Sequence, residues 1–141
     1  VLSAVKSNHE GAKTRRYTKV LEDLATELVD CGLQVHRALG PGLLESIYEE
    51  CLFRELEYRE IPCRRQVAIP ITYRGARVEG AYRIDLIVAD AIIVELKAVE
   101  VLTQVHHAQL LTYLKLSGYE IGFLMNFNVA LFKSGIKRFI R

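Results

Sequence analysis

Apolar residues recur at three- and four-residue steps between Thr18 and Leu39, namely Leu21, Leu24, Ala25, Leu28, Val35 and Leu39. That spacing predicts an amphipathic helix. Gly40-Pro41-Gly42 then stops it, because glycine suits a left-handed C-terminal position and proline cannot continue the ladder. A second helical stripe, Leu44, Ile47, Tyr48, Cys51, Leu52 and Leu56, starts at about Gly42–Leu43 and should end near Arg59, ahead of Pro62. The period then changes to two. Val67, Ile69 and Ile71 alternate within a strand over about 64–73, where Pro70 hints at a sheet edge. Arg74-Gly75 marks a turn, a second strand covers about 77–88, and a third covers 92–98. The third is almost wholly apolar, as a central strand should be. A third helix is expected over about 103–116, with Val105, Ala108, Leu111 and Leu114 facing the core and Gly118 as its stop. An apolar strand over 120–126 and a short one near 136–140 complete the order ααβββαβ(β). The fold class is therefore α/β, a mixed central sheet flanked by helices.

Residues 1–16 are polar, basic and aperiodic, and are expected to form a flexible arm ahead of a single domain over 17–141. A length of 141 residues suits one domain, and an apolar share of half suffices for one core. The net charge of +2 selects no partner by itself, although basic residues gathered on one face could still hold a polyanion. Cys31, Cys51 and Cys63 are odd in number and form no CxxC pair, so we expect reduced thiols in a cytoplasmic protein. The longest uncharged run, Ile121 to Phe132, is too short to cross a bilayer as a helix, and no membrane partner is expected.

The chemistry concentrates in Tyr82-Arg-Ile-Asp85-Leu-Ile-Val-Ala-Asp-Ala-Ile-Ile-Val-Glu95-Leu-Lys97. Charged residues here end two apolar strands, and a buried charge is costly unless it is paired or ligates a metal. Alternation puts Glu95 and Lys97 on one face. An odd-length connection centred on Asp90 pairs Asp85 with Glu95, their Cβ atoms roughly 5 Å apart. A two-residue loop would instead set Asp85 opposite Leu96, on the wrong face. Carboxylates this close repel unless a cation or proton lies between them. Hard oxygen ligands suit Mg²⁺ or Mn²⁺, and a neighbouring lysine can orient a water or stabilise charge on a phosphate. The bland alternative is an inert Asp/Glu/Lys cluster at a sheet end.

The run His36-Arg-Ala-Leu-Gly-Pro-Gly42-Leu-Leu-Glu45-Ser-Ile-Tyr48 resembles the signature of the GxxExxY family, within the PD-(D/E)xK nuclease-like superfamily. The likeness continues through Tyr82–Asp85, Val94–Lys97, Gln109-Leu-Leu-Thr-Tyr113-Leu and Asn126-Phe-Asn128, and covers roughly 18–140. The proline of the superfamily name is replaced here by Ile84. The resemblance implies a restriction-endonuclease-like core. It implies that Glu45 is the acid of the first core helix, that Asp85 and Glu95 are metal-binding acids, and that Lys97 is the catalytic lysine. Gln109 and Tyr113 are similar to the Q-x-x-x-Y element of some nucleases of this superfamily, and four residues apart they share a helix face.

Other residues carry weaker expectations. Glu45 is also explained as an acid favoured by the helix dipole, and Glu49, one turn on, could substitute as a ligand. His36 has an accessory role or simply packs near Tyr48, which itself reads as core. His106 and His107 point in different directions, so a shared metal is not expected. Arg83 pairs with a carboxylate or meets a nucleic-acid backbone. Arg54, Arg59, Arg64, Arg65, Arg74 and Arg77 form either a phosphate-binding rim or a plain solvated surface. Asn126 and Asn128 are expected to organise a turn. The expected function is metal-dependent phosphodiester hydrolysis of nucleic acid, DNA before RNA, with a second copy or a protein partner to help grip a duplex. The rivals are a non-catalytic nucleic-acid- or protein-binding module on the same fold, and a structural subunit with relic chemistry.

Overall fold

A computed structural model describes the backbone of residues 2–141 and the side chains of residues 15–16, 18–80 and 82–141. Helix α1 spans Leu2–Leu39 and α2 spans Glu45–Tyr58. Strands β1 (Cys63–Tyr73), β2 (Ala76–Val88) and β3 (Ile92–Lys97) follow, then helix α3 (Gln104–Ser117). Strand β4 (Ile121–Asn126), a 3-10 turn (Phe132–Gly135) and β5 (Ile136–Ile140) complete the chain. The expected order is observed. Helix α1 begins well before Thr18, and the arm expected over residues 1–16 falls on a segment whose side chains lie largely outside the described residues. The chain divides into two compact units, Val1–Asp30 and Cys31–Arg141. The first is helix alone, with Leu21, Ala25 and Leu28 buried along one stripe. Every candidate site residue lies in the second.

The five strands lie in sequence order in one sheet. Three neighbouring pairs are antiparallel, and β3 and β4 are parallel with α3 as their crossover. Strand β3 is therefore central, and Ile92 to Leu96 are all buried. Ile69, Ile84, Ile87, Ile93 and Leu124 of the sheet pack with Leu110, Tyr113 and Leu114 of α3. Fully burying each such aliphatic side chain contributes about 1.5–3 kcal/mol. Among the described residues the cysteines are free thiols, and no helix is long and apolar enough to cross a membrane.

Helix α2 starts at Glu45, two or three residues later than its apolar stripe suggests. The reason is the backbone before it. Gly40 and Gly42 sit at φ +68° and +100°, which only glycine adopts without strain, and Leu44 is extended.

The β1–β2 hairpin contains a break that alternation does not predict. Arg65 pairs with Leu86 and Val67 with Ile84, but Gln66 and Asp85 between them form no ladder pair. Gln66 has φ +51°. Arg65 turns toward Phe53 and the acids of α2, whereas Val67 packs in the α3 cluster. In an unbroken strand these two residues would share a face. On β2, Ile84 and Ile87 both enter the α3 cluster although they are three residues apart. The side chains therefore change faces at Gln66 and Asp85 without a change of register; the register shift of this strand pair lies farther on, between Ile69 and Ile71.

Candidate active site

The turn after β2 has the odd length that convergence requires. Val88 pairs with Ile92, Ile87 with Ile93 and Leu86 with Val94, with Ala89 and Asp90 left-handed at φ +51° each. The next pair in this register is Asp85 and Glu95. Here the ladder gives way to side chains. The Asp85 N–H donates to Glu95 Oε1 at 2.9 Å, and the Leu96 N–H donates to Asp85 Oδ2 at 2.9 Å. Two carboxyls thus occupy places that backbone carbonyls hold elsewhere in the sheet, and satisfy two buried N–H groups.

The two carboxyls lie close enough for each to act on the other's titration. Burial, then the charge of Asp85, pushes Glu95 up to about 9, and Asp85 is likewise raised, chiefly by burial. At neutral pH the pair retains a proton. Lys97 lies two residues beyond Glu95 and opposes its rise. Glu45 occupies the first turn of α2, at the rim. Its carboxyl is raised by burial and then by Asp85 and Glu49, with Lys97 acting in the opposite sense. Glu45 and Glu95 each feel the charges of both Asp85 and Lys97. The odd register brings Asp85 and Glu95 together, whereas among the described residues Glu45 does not join them in a cluster of three acids.

Tyr113 borders Asp85 and Glu95. Burial, then Glu95 and Asp85, pushes its phenol up to about 12, while Gln109, one turn earlier, acts in the opposite sense. Tyr82 meets the Tyr113 ring edge-on at 5.8 Å. His106 accepts from the Thr103 N–H at 3.0 Å, and burial, then Lys97, lowers its pKa. His107 instead packs on the Phe139 ring, and its Nε2 is buried without a partner among the described atoms.

His36 makes its hydrogen bond elsewhere than to the acids. Its Nε2 lies 2.7 Å from the Val129 carbonyl and its ring stacks on Phe132, so the proton faces that carbonyl. Tyr48 is buried and stacks on Phe127. Its hydroxyl donates to the Gly40 carbonyl at 2.6 Å and accepts from the Leu43 N–H at 3.1 Å. This gives the Gly42, Glu45, Tyr48 spacing a physical reading. Glycine makes the turn, the glutamate opens the helix, and the tyrosine clamps the turn from below. Buried Asn126 exchanges two bonds with Val99 and accepts from the Asn128 N–H, fixing the chain where it leaves Lys97 as well as the expected turn. Arg83 is exposed on β2 beside a 450 Å³ groove. The face it was expected to share with Asp85 is interrupted where the side chains change faces at Asp85.

Sequence reasoning missed Gln66 entirely. Its amide Nε2 donates to Asp85 Oδ1 at 3.2 Å and to Glu49 Oε1 at 2.5 Å. Glu49 also accepts from Arg65 at 3.0 Å, so the weakly weighted alternative ligand is tied to the site's border. No residue-type signal marks Gln66; only its backbone angle and its skipped ladder pair do.

Among the described residues, no three His, Cys, Asp or Glu side chains stand gathered as a ready-made ion cage. The donor chemistry nevertheless fits a hard divalent cation. Two oxygen-rich side chains face each other in a buried gap, and the charge they lack is supplied by a retained proton. A cation can replace that proton, with Glu45 nearby on the rim.

The PD-(D/E)XK nuclease superfamily model matches residues 22–139, and the chain belongs to this superfamily. Neither a curated protein nor a solved structure gives a significant match.

Proposed function

We propose that this chain hydrolyses phosphodiester bonds in nucleic acid, with DNA as the first substrate, using Mg²⁺ or Mn²⁺. The observation that carries this reading is the Asp85–Glu95 pair, Glu95 buried and Asp85 half-buried, their carboxyls held by the Asp85 and Leu96 N–H groups and sharing a retained proton. Membership of the superfamily supports it, and the motif likeness to GxxExxY sequences is consistent with it. Asp85 and Glu95 are the residues to hold the ion, with Glu45 completing the set from the start of α2. When bound, such an ion acidifies a water and polarises the scissile phosphate. Lys97 orients the attacking water and offsets charge on the phosphoryl oxygens. Gln109 holds a phosphate oxygen or water beside Tyr113, whose raised pKa keeps it a neutral donor. Relaxation of supercoiled plasmid in Mn²⁺ tests this. The expected result is cleavage by the wild-type chain and none by Lys97→Ala or Asp85→Asn. Cleavage that survives Lys97→Ala unchanged refutes the assignment.

A second reading, a nucleic-acid- or protein-binding module without cleavage, is favoured by the same pair being closed by its own proton. Nucleic-acid affinity indifferent to Mn²⁺, with no Mn²⁺ uptake by calorimetry, would select it.

A further inference from the structure

Gln66 is the one residue of the site's border held in a left-handed conformation within a strand, at φ +51°. An L residue with a long side chain avoids that region unless its surroundings impose it. It sits across from Asp85 where the β1–β2 ladder skips one pair without shifting register. Both hydrogens of its amide can be used at once. One carboxylate contact is Asp85 Oδ1 at 3.2 Å and the other is Glu49 Oε1 at 2.5 Å. Asp85 Oδ2 is meanwhile fixed by the Leu96 N–H at 2.9 Å. With one donor on each oxygen, the Asp85 carboxylate has no free rotation left.

We propose that Gln66 is a positioning residue that aims the Asp85 carboxylate for capture of the divalent cation, a role that rests on the nuclease reading given above. Its amide does two things a hydrophobic side chain could not. It stops Asp85 from swinging wholly onto Glu95, and it holds Glu49 near Asp85 without letting the two negative charges meet. The left-handed backbone is what allows this, because it turns the Gln66 side chain toward α2 and Asp85 while Arg65 and Val67 pass to opposite faces. Gln66 reaches the reaction only through Asp85.

Glycine accepts φ +51° without strain, so Gln66→Gly keeps the backbone and deletes only the amide. The expected result is a Mn²⁺ dissociation constant, by calorimetry, about 10- to 100-fold weaker than wild type, the range for loss of a group that orients a ligand. The melting temperature without metal should equal or exceed that of wild type. The KM for plasmid should not move, while kcat at limiting Mn²⁺ falls with the affinity. Gln66→Asn, which tolerates the same backbone and retains the donors on a shorter arm, should recover part of the lost affinity. Wild-type Mn²⁺ affinity in Gln66→Gly overturns the proposal, as does a wild-type chain that takes up no Mn²⁺. So does an affinity loss that only tracks a fall in melting temperature. A wild-type chain that binds Mn²⁺ but never cuts plasmid ends the nuclease reading, and Gln66 is then decided by the calorimetric ratio alone.

Discussion

At the scale of single residues, the site is governed by one proton shared in a buried gap. Folding raises the pKa of Glu95 from an ordinary value near 4.5 to about 9, through burial and the charge of Asp85. Between those limits the native state therefore holds more protons than the unfolded chain. The derivative of stability with pH is then negative, so stability should fall as pH rises from about 4.5 toward 9. Asp85, also raised, acts in the same direction. Thermal melts in a chelating buffer between pH 5 and pH 9 check this, and a flat or rising profile contradicts it. Glu95→Gln mimics the protonated acid and should flatten the slope. Excess Mn²⁺ should raise the melting temperature most at the alkaline end, where the proton no longer occupies the gap. Asp85, Glu95 and Lys97 were legible in the sequence because charges at the ends of apolar strands need a reason. Gln66 was not, since an amide in an alternating strand looks like any exposed polar position. Its significance lies in a backbone angle that glutamine does not announce.

At the scale of elements, patterning placed boundaries well where the period was clean but misjudged the inner face of α3, where Val105 and Leu111 are exposed and Leu110 and Tyr113 are buried beside Leu114. The boundaries of β1 to β5 and α3 fall within about one or two residues of those expected, because strand alternation and glycine punctuation agree there. The start of α2 was misplaced because the apolar stripe continues backward through Leu44 and Leu43, while Gly42 at φ +100° postpones the helix. The turn between α1 and α2 is held by the Tyr48 hydroxyl, which serves the Gly40 carbonyl and the Leu43 N–H together. Tyr48→Phe leaves both groups without that partner and should cost about 1–3 kcal/mol in urea unfolding. Gly42→Ala should cost more than about 1 kcal/mol, since alanine is strained at that φ. Glu45 opens the helix that this turn launches. Tyr48→Phe should therefore also weaken Mn²⁺ binding under conditions where the protein remains folded. A variant with the lost stability but wild-type affinity would show that the turn does not place Glu45.

At the scale of the whole molecule, the arginines of the middle of the chain are largely committed to its own acids. Arg65 binds Glu49 and Glu50 at 3.0 and 2.6 Å, and Arg59 binds Glu55 at 3.1 Å, all partly shielded. Arg54, Arg64 and Arg77 hold exposed pairs with Glu50, Asp90 and Glu79. A phosphate approaching any of these meets an ion pair rather than a lone cation, so the broad basic rim contemplated from the sequence is electrostatically muted. Arg74, stacked over Tyr73 at the hairpin tip, and Arg83, beside the β2 groove, differ in that no carboxylate is bonded to either in the structure described. Duplex binding carried by about two to four phosphate contacts gives a slope of log K against log salt no steeper than about −4. Fluorescence anisotropy of a labelled duplex in EDTA across sodium chloride concentrations measures it. Arg74→Ala and Arg83→Ala should each make the slope shallower by about one while leaving urea stability unchanged. Arg65→Ala should do the reverse, lowering stability by freeing Glu49 and Glu50 with little effect on the slope. A slope of −6 or steeper would mean that the paired arginines leave their carboxylates for phosphate, and the division of labour drawn from these ion pairs would be wrong.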